Sequence, residues 1–267
     1  MFSAITGDIL GSIHESIPNK KNTREAGPTD DSFLTCACYE WIQSLSLEKI
    51  KDLKDNPSIP KEFKNQATFY LKKWWAKYPG EGFSRGFNAW AASPDFVQAH
   101  RDTNGCLMRQ SPIPEFCVKN KIDLETCLML CEIFASPTHD HQDSYNAVRS
   151  HGRTIYRTQN NSVHPHDLKH LMENTLYKIQ PLDYWKNINK FIWDAKSSLA
   201  IAYSAIYHAS NFETTIANCV YIGGDVDTYC AIACPISVAT WPIPEDTVNE
   251  ITKILVRFPD IEKLFVK

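Results

Sequence analysis

The stretch Gly223-Gly224-Asp225-Val226-Asp227-Thr228 sets two carboxylates at i, i+2 with a hydroxyl directly after them. The paired glycines permit a turn with φ > 0, and the apolar run from Ile216 to Ile222 delivers the chain to it. Oxygen ligands on a tight turn at the mouth of a helix suit a hard divalent cation, Mg²⁺, Mn²⁺ or Ca²⁺, rather than zinc or copper. Two carboxylates and one hydroxyl cannot fill an octahedral shell, so a second oxygen-rich segment has to join them. Thr29-Asp30-Asp31 is that segment. Thr29 reads as a helix N-cap, and Asp30 and Asp31 fall in the first turn, where the macrodipole favours negative charge. Glu15 adds a further carboxylate, so that Glu15, Asp30, Asp31, Asp225 and Asp227 come from three separated segments, each at or near a helix end. Converged in one concave site they would repel one another severely unless cations were bound.

The elements that must position these groups are helical throughout. Residues 4–15 read as a first helix whose Gly7 and Gly11, spaced i, i+4, allow close approach of another backbone. Residues 19–28 are a polar loop. Behind Thr29 follow Phe33, Leu34, Ala37, Trp41 and Leu45 as an apolar stripe. Residues 46–60 form a charged connection, and residues 62–78 an amphipathic helix stopped by Pro79-Gly80. Short helices or turns are expected over 83–92 and 94–109, around a loop containing Gly and Asn. Longer helices are expected over 124–134, 139–157 and 166–178. Residues 191–208 read as a central buried helix, rich in alanine for close packing. A helix over 228–239 lies behind the acidic turn, and 245–257 is the last full helix. No strand-like alternation occurs, so the expectation is a single all-α domain over 1–267.

Composition narrows the function. The 267 residues are 43% hydrophobic and 22% charged, with a formal net charge of -3 and a pI near 6.3. No run of lysines and arginines marks a basic face, which argues against nucleic acid and anionic membranes as partners. The N-terminal residues lack a basic segment followed by an apolar one, and nothing approaches the ~20 apolar residues of a membrane span, so a cytoplasmic protein is expected. Nine cysteines, an odd number, point to free thiols in a reducing compartment. The pairs Cys127/Cys131 and Cys230/Cys234 sit among apolar residues as small hydrophobes, and zinc is disfavoured because no Cys-x-x-Cys occurs. His164-Pro165-His166 reads as a solvated loop.

Five segments together carry a resemblance. Gly7-Asp8-Ile9-Leu10-Gly11-Ser12-Ile13-His14-Glu15, Thr29-Asp30-Asp31-Ser32 and Gly223-Gly224-Asp225-Val226-Asp227-Thr228 resemble the three signature segments of the ADP-ribosylglycohydrolase family. Asn104-Gly105-Cys106-Leu107-Met108-Arg109 is similar to that family's Gly-Asn-Gly-x-x-Met-Arg loop, and Ser136-Pro137-Thr138-His139 to its Thr-His segment. The resemblance implies an orthogonal helical bundle with a binuclear metal cleft. It implies two Mg²⁺ (or Mn²⁺) held by Thr29, Asp30, Asp31, Asp225, Asp227 and Thr228. The implied reaction is hydrolysis of the bond between C1 of the distal ribose of ADP-ribose and a modified acceptor, a protein side chain; separately, a monomer is expected. Glu15 takes the acid/base and gating role, with Asp30 as second candidate for base. Asn104 and Gly105 would contact the pyrophosphate through backbone amides, His139 the adenosine side, and Gly223 and Gly224 the substrate.

Asp8 is read instead as a carboxylate accepting from backbone amides, and Arg109 as one half of a core ion pair. The sequence departs from the family at Thr103, which stands where the first loop glycine is expected, and at Cys234-Pro235, where a kinked helix is expected. His100 and Arg101 offer side-chain donors beside Thr103. Two other functions remain open: a catalytically silent ADP-ribose-binding or structural member of the same fold, and an unrelated metal-dependent phosphohydrolase. The second is disfavoured because no lysine or arginine clamp lies beside the acidic turns in sequence.

Overall fold

The computed structural model describes residues 1–15, 25–94, 101–159, 164–173, 177–188 and 190–265. All regular structure in them is helical, apart from an isolated bridge between Thr103 and Asp194. In chain order the helices are α1 (Phe2–Ser12), α2 (Asp30–Ser44), α3 (Leu47–Lys51), α4 (Ile59–Lys77), α5 (Arg85–Ala92), α6 (Pro112–Lys119), α7 (Leu124–Ala135) and α8 (Gln142–Gln159). They continue with α9 (Pro165–Glu173), α10 (Leu182–Ile188), α11 (Ala195–Tyr207), α12 (Phe212–Ile222), α13 (Val226–Ser237), α14 (Glu245–Leu255) and α15 (Pro259–Glu262). One buried hydrophobic cluster runs from Met1 to Ile261. The all-α bundle is the architecture expected from the sequence.

Local chemistry explains most boundaries. Thr29 caps α2 by accepting from the Asp31 amide, and the stripe Phe33, Leu34, Ala37, Trp41 and Leu45 is buried throughout. Along α4, Phe63, Ala67, Leu71 and Trp74 are buried while Tyr70 and Trp75 are half-buried, so its aromatic stripe is packing. All nine cysteines are buried free thiols. His164 and His166 are exposed, with Pro165 the first residue of α9. Pro235 lies within α13, which continues to Ser237.

Several expectations are corrected. α1 ends at Ser12, leaving Glu15 beyond the helix. The charged connection over 46–60 contains α3, capped by Ser46. α6 opens on Pro112 and Pro114, which fit a first turn because its N–H groups have no intrahelical partner. α11 starts at Ala195 rather than near Phe191, because the Asp194 carboxylate accepts from the Ser197 amide at 2.8 Å and caps the helix there. Residues 191–194 instead form an arm tied to the loop over 102–104: the Asn104 amide donates to Trp193 O at 2.7 Å and the Ala195 amide to Asp102 O at 2.6 Å. Among the described residues no helix is long and apolar enough to cross a membrane.

Candidate metal centre and substrate cleft

Helix α1 brings the two acidic segments together. A β-carbon on Gly7 would lie 2.4 Å from Cys230 O, and one on Gly11 would lie 2.6 Å from Asp227 Cα. The two backbones touch, as the glycine spacing predicts, and Asp227 at the start of α13 sits directly over Gly11. On another side of α1, Asp8 accepts from the Thr29 and Ser32 amides at 2.8 and 3.1 Å, and from the Thr29 hydroxyl at 2.7 Å. The Ser32 hydroxyl donates to it as well. Asp8 therefore satisfies open N–H groups at the start of α2, in the role read from sequence. α1 fixes the start of α2 through Asp8 and the start of α13 through its glycines.

The acidic turn has the backbone its glycines were expected to permit, with φ of 77° at Gly223 and 89° at Gly224. These two residues build the turn and lie outside the cleft lining. Thr228 donates through its hydroxyl to Asp31 Oδ2 at 3.3 Å, linking α13 to α2, while Asp31 Oδ1 is buried without a hydrogen-bond partner. Carboxylate oxygens of Asp8, Asp31 and Asp227 approach within 4.8 Å of one another, as do those of Glu15, Asp225 and Asp227. Asp227 belongs to both triads. Thr29 is fully buried, its hydroxyl donating to Asp8 and accepting from the Asp31 amide.

Crowding and burial show in the acidities. Asp8 is pushed up to about 7 by burial and then by the charge of Asp227, against the lowering effect of its bonds to Ser32 and Thr29. Asp30 is pushed up to about 8 by burial, then by Asp227 and Asp8. Asp31 and Asp225 stand well above the usual carboxylate range for the same two leading causes. A cluster of hard oxygens raised in this way, one of them without any donor, fits a divalent cation. Glu15, Asp30, Asp31, Asp225, Asp227 and Thr228 line a cleft of about 490 Å³, and Asp8 lies buried behind it.

A model of the ADP-ribosylglycohydrolase family matches residues 1–265. The chain belongs to the ADP-ribosylglycohydrolase family. A solved structure described as an "ADP-ribosylglycohydrolase-related protein complex" is similar over 98% of this chain and 95% of its own, with a TM-score of 0.63 at 17% identity, which speaks to the fold. No curated protein matches the chain. Membership supports a metal-dependent glycohydrolase acting on ADP-ribosylated substrates.

On the substrate side, the chain departs from the sequence reading. The Asn104 amide donates to Trp193 O. The Asn104 side chain donates to Asp225 Oδ2 at 2.7 Å and orients that carboxylate. Gly105 and His139 line the cleft. His139 is buried between Thr103 Oγ1, 2.8 Å from its Nε2, and Thr138 Oγ1, 2.8 Å from its Nδ1. Burial, followed by the charges of Arg109 and Arg101, holds its pKa well below the usual histidine value.

Arg109 has no ion-pair partner among the described residues, contrary to expectation. It donates to Thr138 Oγ1 at 2.6 Å, lies 5.4 Å over the Phe134 ring, and keeps a buried Nε without a partner. Its pKa is lowered to about 10, chiefly by burial. Arg109 lines the cleft together with Arg101, which donates to Gly86 O at 2.6 Å. The arginines absent from the sequence around the acidic turns are thus present in the cleft. Phe87, Phe191 and Trp193 line it too, and no sequence signal marked them. His100 lies outside the described residues.

Proposed function

We propose that the protein is a divalent-cation-dependent ADP-ribosylhydrolase that cleaves the glycosidic bond between C1 of the distal ribose of ADP-ribose and an acceptor protein side chain, acting in the cytoplasm as a monomer. The observation that carries this reading is one cleft holding both kinds of charge: the carboxylates of Glu15, Asp30, Asp31, Asp225 and Asp227, and the guanidinium groups of Arg101 and Arg109. Such a cleft complements a ligand with a ribose diol and a pyrophosphate.

Thr29, Asp30, Asp31, Asp225, Asp227 and Thr228 would hold two Mg²⁺ or Mn²⁺, with Asp8 close enough to share in the site beside Asp31 and Asp227. Bound cations would offset the carboxylate repulsion and supply Lewis acidity toward ribose oxygens. Glu15, half-buried at the cleft and beyond the end of α1, is the proton carrier. It delivers a proton to the acceptor atom as the C1 bond breaks, and takes back the proton that water gives up on adding to C1. Asp30, which lines the same cleft, is the alternative base. Asn104 holds Asp225 in place. The products are ADP-ribose and the unmodified side chain.

Incubation with an arginine-ADP-ribosylated and a serine-ADP-ribosylated protein, with Mg²⁺ and with EDTA, tests this directly. ADP-ribose released from one of them only with the cation is the expected result. Binding of ADP-ribose without release from either substrate would support the silent-binding reading instead.

A further inference from the structure

A one-way chain of hydrogen bonds runs along the cleft wall. Arg109 can only donate, and its Nη2 donates to Thr138 Oγ1 at 2.6 Å. The Thr138 hydroxyl has one proton of its own and two places to send it: His139 Nδ1 at 2.8 Å or Ala135 O at 3.4 Å. Assigning the proton to the shorter bond makes Nδ1 the acceptor and leaves the ring proton of a neutral His139 on Nε2, and this tautomer is a premise of the proposal that follows. That proton then goes to Thr103 Oγ1, 2.8 Å away. Thr103, having accepted from histidine, must send its own proton elsewhere. Its side chain makes no capping bond to the short helix it precedes, and the residue lines the cleft.

We propose that Thr103 Oγ1 donates a hydrogen bond to a phosphate oxygen of the bound substrate, oriented by the chain from Arg109 through Thr138 and His139. Only an acceptor can complete this chain, and the guanidiniums of Arg101 and Arg109 in the same wall select an anionic one. The partnerless buried Nε of Arg109 points the same way, since a buried charge without a counter-ion is costly unless a ligand supplies one. The threonine hydroxyl, at the position where a glycine is the family pattern, thus replaces a backbone approach to the phosphates with a side-chain donor. Arg109, Thr138 and His139 act as positioning residues. The identity of the phosphate rests on the ADP-ribose reading above.

Two measurements decide it. In the first, ¹⁵N shifts of imidazole-labelled protein, with the His139 signals assigned by His139→Gln, should show the Nε2–H tautomer. An Nδ1–H tautomer would reverse the chain and overturn the inference. In the second, calorimetry with ADP should give affinity about tenfold weaker for Thr103→Val, the order expected for one hydrogen bond to a charged group. Thr103→Ser should restore both the affinity and the wild-type melt, whereas Thr103→Val, which leaves His139 Nε2–H without an acceptor, should melt lower yet stay folded. Equal ADP affinity in wild type and Thr103→Val, or no ADP binding by wild type, would overturn the subsite. Tight ADP binding with no ADP-ribose release from modified protein would instead overturn the hydrolase reading and leave the Thr103 result standing.

Discussion

Asp227 stands between the two carboxylate triads, and its charge is the leading cause after burial for the raised pKa values of Asp8, Asp30, Asp31 and Asp225. Removing it should therefore disable both halves of the centre at once. Asp227→Ala and Asp31→Ala are expected to cut Mg²⁺-dependent ADP-ribose release below a tenth of wild type, followed by chromatography of the released product. Activity above that level would remove them from the ligand set. Glu15 has a different role, since it lies beyond the helix end and is half-buried. Glu15→Gln should keep ADP-ribose affinity and lose roughly 10²–10⁴ in rate, the usual contribution of a general acid or base. Unchanged rate with unchanged affinity would reduce it to a surface carboxylate.

At the scale of elements, the site depends on two helices lying closer than side chains permit. Gly11→Ala would place a methyl 2.6 Å from Asp227 Cα, against backbone that cannot rotate away. Overpacking of this kind costs ~1–3 kcal/mol, and here the displaced residue is the shared carboxylate. Gly11→Ala should melt lower than wild type and lose cation-dependent release, whereas Gly27→Ala, whose added carbon meets nothing nearer than Glu25 O at 3.9 Å, should change neither. Equal melting of the two variants would separate the glycine contact from the site. The i, i+4 glycines, the Thr29 cap and the glycine turn were legible in the sequence because each is a local rule about backbone space or open N–H groups. The partner of Arg109 was not, because Thr138 and Phe134 reach it only through the packing of the loop over 104–109 on the end of α7. The Phe191–Trp193 arm was absorbed into a helical periodicity for the same reason: the Asp194 cap that ends it is one residue type among several permitted there. Asp8 was legible as an amide acceptor, but its nearness to Asp31 and Asp227 depends on three helices meeting.

Across the whole molecule the acidic centre couples stability to pH and to cations. The buried cluster from Met1 to Ile261 packs the helices that carry the site against one another, so melting of the fold reports on the site. Asp8 moves from a usual 3.8 to about 7 on folding, and Asp30 from 3.8 to about 8. Between those limits the cation-free folded state binds more protons than the unfolded chain. Its stability from these groups is full below pH 3.8 and is lost as pH rises through 7 and 8. In EDTA the melting temperature should therefore fall between pH 5 and pH 8.5. Mg²⁺ prefers the ionised site, so millimolar Mg²⁺ should abolish or reverse that fall, with stabilisation growing as RT ln(1 + [L]/Kd). Asp225→Asn removes one of the repelling charges while keeping an oxygen to accept from Asn104. It should melt higher than wild type in EDTA at pH 8 and gain far less from Mg²⁺. If it melts lower in EDTA and shifts with Mg²⁺ as wild type does, the carboxylates on α2 and α13 do not act as one cation site.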